Sequence, residues 1–156
     1  MATGVAGLLS AIGGSSAIAA TLPSANRASA AASTTCPTST AIKSSASTSF
    51  AAVQTDKSSD GVTCDYNNSA ANKTLEISFT STTSTAASLK TFANSLATVE
   101  KTTAKSVAGI GSGAYVFAAG STTDLFVLSN AKIFSIIGDL TANEIESVAK
   151  YVVAHK

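Results

Sequence analysis

Residues 73–80 read KTLEISFT, and this octet decides the fold. Leu75, Ile77 and Phe79 alternate with Glu76 and Ser78. Successive side chains of an extended chain point to opposite faces, so one face here is apolar and the other wet. Such a strand belongs in an antiparallel sheet covered on one side. Just upstream, residues 67–72 form a polar turn, and residues 62–67 (VTCDYN) read as a partner strand. The two are predicted to pair as a hairpin. Asp60-Gly61 marks the turn before them. Farther upstream, Thr38 can cap a helix running to about residue 53, with Ile42, Ala46, Phe50 and Val53 along one face.

Downstream, Ser84 opens a second amphipathic helix whose apolar stripe is Leu89, Phe92, Ala93, Leu96 and Val99. Residues 101–113 read as connection. Three strands follow at 114–118, 124–128 and 132–137, separated by Gly120-Ser121 and Ser129-Asn130. The second link is hairpin-short, and Asn tolerates positive φ. Thr141-Ala142-Asn143-Glu144 is a capping box, which predicts a helix from 142 to about 154 burying Ile145, Val148, Ala149, Val152 and Val153. The predicted fold is therefore α+β. It has an antiparallel sheet of about five strands, three helices on one face, and the order α-β-β-α-β-β-β-α.

Charge is sparse: 12% of the 156 residues are charged, about half the usual share. Only Arg27 of the ten basic residues precedes Cys36, and all nine acids lie from Asp56 onward. Residues 36–156 thus carry nine basic and nine acidic groups, a balance without the basic footprint of a nucleic-acid binder. Residues 1–20 (MATGVAGLLSAIGGSSAIAA) form a signal-like leader, with Ala17-Ile18-Ala19 as a small-residue cleavage pattern and no Lys or Arg ahead of it. The leader is too weakly apolar for a stable membrane span. Residues 21–35 are Ala/Ser/Thr-rich and are predicted to be a disordered linker, leaving 36–156 as a single α+β domain.

Cys36 and Cys64 are the chain's two cysteines. Behind an export-like leader they read as one disulfide, tying the first helix to the sheet in an extracellular or cell-envelope protein. The alternative is two free buried thiols in a cytosolic protein. A bridge closing a loop of this length stabilises by about 3 to 4 kcal/mol in the chain-entropy model.

The Cys64-Asp65-Tyr66 strand, a cysteine before the first helix, and the segment carrying Val107, Gly109, Ile110, Gly111, Ala114 and Tyr115 resemble a known group of domains. These are small actinobacterial exported or lipoprotein domains of unknown function, similar to extracellular sensor domains of bacterial Ser/Thr kinases. The resemblance implies a sandwich-like α+β domain with an apolar cleft, a ligand-binding or sensory role, and no catalytic residues to carry over. This chain departs from the group in having no lipid-attachment cysteine, no Trp, and Ser112 where an acid is common.

Catalytic chemistry is not visible in the pattern. His155 is the one histidine and sits at the C-terminus, so neither a Ser-His-Asp triad nor a zinc site assembles around it. The carboxylates read as scattered over turns and outward strand positions, with no glycosidase pair among them. Gly109-Ile110-Gly111-Ser112-Gly113 resembles a phosphate loop only weakly, because a strand rather than a helix follows it. Asn67-Asn68-Ser69 and Asn72-Lys73-Thr74 match the glycosylation pattern but read as hairpin turn. The expected function is a non-catalytic secreted binding or sensing module without a cofactor or metal. It would hold a small apolar ligand or a cell-envelope component through Tyr66, Tyr115, Phe117 and Phe126, unless these aromatics simply form core. The alternatives are a small extracellular hydrolase without a recognisable motif and a structural envelope protein.

Overall fold

A computed structural model describes residues 35–155. The signal-like leader and all of the linker but its last residue lie outside the described residues. The elements run α1 (Ser39–Ala46), β1 (Ala52–Ser58), β2 (Gly61–Asn68), β3 (Lys73–Thr83), α2 (Ala86–Val99), β4 (Lys105–Ser106), β5 (Gly113–Ala119), β6 (Thr122–Ser129), β7 (Lys132–Gly138) and α3 (Ala142–Ala154). All seven strands join one antiparallel sheet in the order β1-β2-β3-β7-β6-β5-β4. The α+β class and three helices hold, and the five-strand sheet and its element order are corrected by β1 and β4.

The missed β1 has a physical explanation. Thr38 caps α1 as its sequence suggests, accepting from the Ala41 N–H at 3.3 Å, but Ser47 turns left-handed (φ 54°) and ends the helix. Phe50 still reaches the core, so its four-residue step from Ala46 imitates helical spacing; its ring meets Tyr66 edge-on at 6.2 Å. Beyond it the chain extends and pairs with β2 from Ala52↔Asn67 to Ser58↔Gly61. Gly61, at the start of β2, lets β3 close against that hairpin, because a Cβ there would collide with the Phe79 backbone carbonyl. The two-residue β4 is too short to show a period; it pairs Lys105↔Val116 and Ser106↔Tyr115.

The helices do not share one face. α1 and α3 supply Ile42, Ala46, Ile145, Val148, Ala149 and Val152 to a core that also holds Cys64, Leu75, Ile77, Phe79, Leu125, Val127, Phe134 and Ile136. Leu89 and Ala97 of α2 instead pack on Phe117, Phe126 and Leu128, the opposite side of β5 and β6 by strand alternation. The unbroken buried run Leu125–Leu128 reflects a strand covered on both faces. Because α2 spans only that end of the sheet, its contact line narrows to Leu89, Ala93 and Ala97. Phe92 and Val99, assigned to the stripe from sequence, are 45% and 74% exposed. Among the described residues, no helix covers the second face of β1, β2 and β3.

Candidate functional site

That uncovered face is polar by alternation. The register aligns one row of side chains across it: Gln54↔Asp65 between β1 and β2, Asp65↔Glu76 between β2 and β3, Glu76↔Ile137 between β3 and β7, and Ile137↔Asp124 between β7 and β6. Gln54, Asp65, Asn67, Thr74, Glu76 and Thr122 line a concavity of about 530 Å³, with Ile137 and Gly138 also contributing. A side chain at Gly138 would come within 2.7 Å of the Thr74 carbonyl oxygen, so glycine lets β7 close against β3 at this point.

Hydrogen bonds fix the walls. Asp139 accepts from both the N–H and the hydroxyl of Thr74 at 2.9 Å, holding the rim. Ser78 donates to the Glu76 carboxylate at 2.9 Å and lies 3.0 Å from the Thr63 hydroxyl. Thr122 donates to Asp124 at 3.2 Å.

The electrostatics are one-sided. Burial, then Glu76 and Asp56, push the Asp65 carboxyl above the usual carboxylate range. Burial also raises Asp124; the Thr122 hydroxyl opposes this, while Glu100 and Glu76 add to it. At the rim the sign reverses. The Thr74 N–H and hydroxyl hold Asp139 below the usual range against slight burial, with help from Lys73. Among the described residues no group of three or more His, Cys, Asp or Glu side chains is placed to hold a metal ion.

A second, shallower depression of about 310 Å³ lies at the other end of β3, where the ladder to β7 shifts register between Phe79 and Thr83. Thr80 donates to the Ile133 carbonyl at 2.8 Å across the irregularity. Phe92 forms one wall and meets Phe126 edge-on at 5.1 Å.

The four aromatics chosen from sequence do not form one site. Tyr66 is 2% exposed; its residue borders the concavity, but its ring packs in the α1–α3 core and its hydroxyl donates to the Pro37 carbonyl at 2.7 Å. Phe117 and Phe126 are 4% and 5% exposed and stack at 5.9 Å beneath α2, with Tyr115 part-buried beside them. Cys36 and Cys64 are bonded, with Cα atoms 5.7 Å apart, and the Thr55 hydroxyl donates to the Cys36 sulfur at 3.2 Å. Asp65 and Glu76 do occupy outward strand positions, and strand register sets them directly opposite each other, a pairing the sequence pattern did not suggest. Outward alternation marked each residue singly, but only the register could bring them together. The glycine segment serves packing, for a Cβ at Gly111 (φ 57°) would strike the Leu128 carbonyl. Comparison with protein-family models, curated proteins and solved structures finds no match to this chain.

Proposed function

We propose that this protein is a non-catalytic binding or sensing module of the extracellular space or cell envelope. It holds a polar ligand in the concavity of its uncovered sheet face. The observation that carries this reading is the convergence of Gln54, Asp65, Asn67, Thr74, Glu76 and Thr122 on one hollow over a fully packed sheet. Preformed hollows with convergent polar groups are the usual form of a ligand site. The lining offers acceptors and negative charge, so it suits a donor-rich or amine-bearing envelope component better than the small apolar ligand expected from sequence. The disulfide fits an oxidising compartment. The resemblance of the Cys64-Asp65-Tyr66 strand and the glycine segment to actinobacterial exported domains agrees with the same role.

Native mass spectrometry of protein recovered from culture medium tests this reading. The expected species lacks the leader, is short by two hydrogens, and carries a bound mass that Glu76→Gln releases. An intracellular species with Met1 intact and two reactive thiols contradicts it.

One observation favours a second reading, a small hydrolase: Asp65 and Glu76 face each other and the Asp65 carboxyl is raised, as in acid–base pairs. Turnover of chromogenic glycosides that is lost in both Asp65→Asn and Glu76→Gln would establish it. His155 takes no part in either reading, since its Nδ1 lies 2.8 Å from the Tyr151 carbonyl oxygen and its ring stacks on Tyr151 at the end of α3.

A further inference from the structure

We propose that the Asp65–Glu76 pair, set directly opposite across β2 and β3, makes the uncovered face an acid-responsive element: acidification relieves the like-charge contact and tightens the β1–β2–β3 half of the sheet. The geometry is set by the backbone. Asp65 on β2 stands directly across from Glu76 on β3, and like charges directly opposite in an antiparallel pair are destabilising. Asp56 lies on the same face two residues beyond Gln54, opposite Thr63. Asp124 occupies the same row one strand past Ile137.

The charges that act on these groups have one sign. Asp65 feels Glu76 from β3 and Asp56 from β1, with neutral Gln54 as its direct partner on β1. Asp124 feels Glu100 from the end of α2 and Glu76 from β3, and the Thr122 hydroxyl opposes them. Lys73 acts instead on Asp139 and Glu144. No cation of the described residues is among the charges acting on Asp65 or Asp124, so the row is relieved most simply by a proton.

The direction of the pH effect follows from linkage. Groups raised in the fold bind more protons folded than unfolded, so their contribution is complete below the ordinary carboxylate range and falls as pH rises through the raised values. At neutral pH the row therefore weakens the sheet, and acid removes that weakness. Asp139 and Glu144 act in the opposite sense, so the element is read as a difference between variants. Proton uptake needs no ligand, and the inference stands apart from the binding function.

The test is urea unfolding of the full chain and of Asp65→Asn at pH 7.5 and pH 3.5. The expected result is a higher urea midpoint for Asp65→Asn at pH 7.5, a gain that added sodium chloride reduces and that disappears at pH 3.5. A gain of equal size at both pH values, or a lower midpoint at pH 7.5, overturns the proposal. If Asp65→Asn does not fold, Glu76→Gln relieves the same pair from the other strand, with the same expected and overturning outcomes.

Discussion

At the residue scale, single side chains report whether the contacts described above do the stabilising. Ala131 adopts φ 58° beside Asn130 at φ 52° in the turn between β6 and β7. A side chain in the left-handed region costs about 1 kcal/mol, so Ala131→Gly raises stability by roughly that amount in urea unfolding. Tyr66→Phe removes the bond to Pro37 from a buried site and costs about 1 kcal/mol. Burial, then Tyr151, push the Tyr66 phenol above its ordinary value, so spectroscopic titration finds this tyrosine un-ionised until the protein unfolds. Asp139 is lowered by its Thr74 bonds, so its stabilisation is present above the ordinary carboxylate range and is lost as pH falls through its depressed value. Asp139→Asn accordingly makes stability less sensitive to acid below about pH 4, the opposite of the change expected for Asp65→Asn.

At the element scale, legibility in the sequence followed the strength of local rules. α3 was legible in all but Val153, which is part-buried rather than buried, because three rules agreed. Thr141 accepts from the Glu144 N–H at 3.3 Å, Glu144 accepts from the Thr141 N–H at 2.9 Å, and Ile145, Val148, Ala149 and Val152 are buried. Thr141→Ala lowers stability by about 0.5 to 2 kcal/mol, measurable as a shift in thermal midpoint. Glu144 adds an acid-sensitive component: partial burial raises its carboxyl, but the Thr141 bonds, Lys73 and the Thr48 hydroxyl outweigh that and hold it below the ordinary range. The β2–β3 and β6–β7 hairpins were legible from alternation and turn residues. β1 was not, because Phe50 enters the core after a left-handed cap at a spacing that mimics a helix. Placement of α2 on the far face was equally hidden, since a helix stripe shows what is buried and not against which side of a sheet. The continuous apolar run in β6 was the available clue. For the site, Asp65 and Glu76 could be placed outward on their strands, but Gln54 lay on the missed β1 and Thr122 ahead of the predicted strand at 124–128, and the cross-strand row needed the register of β1, β2, β3, β7 and β6 together.

At the scale of the whole molecule, the disulfide and the asymmetric covering of the sheet belong to one design. Cys36 enters beside α1 and is bonded to Cys64 inside the α1–α3 core, a separation of 28 residues. Cys36→Ala in oxidising conditions loses about 2 to 4 kcal/mol, and reduction of the wild type produces a comparable drop. With one face packed by α1 and α3 and only part of the other capped by α2, the rest of that second face carries no helix among the described residues, and it is there that the proposed ligand would bind. Amide chemical-shift mapping of ¹⁵N-labelled protein titrated with spermidine, an amine-bearing probe, examines that claim most directly. Shifts confined to Gln54, Asp65, Asn67, Thr74, Glu76 and Thr122, and abolished in Asp65→Asn/Glu76→Gln, are the expected result. Saturating shifts on the α3 side, or none at all, would contradict it.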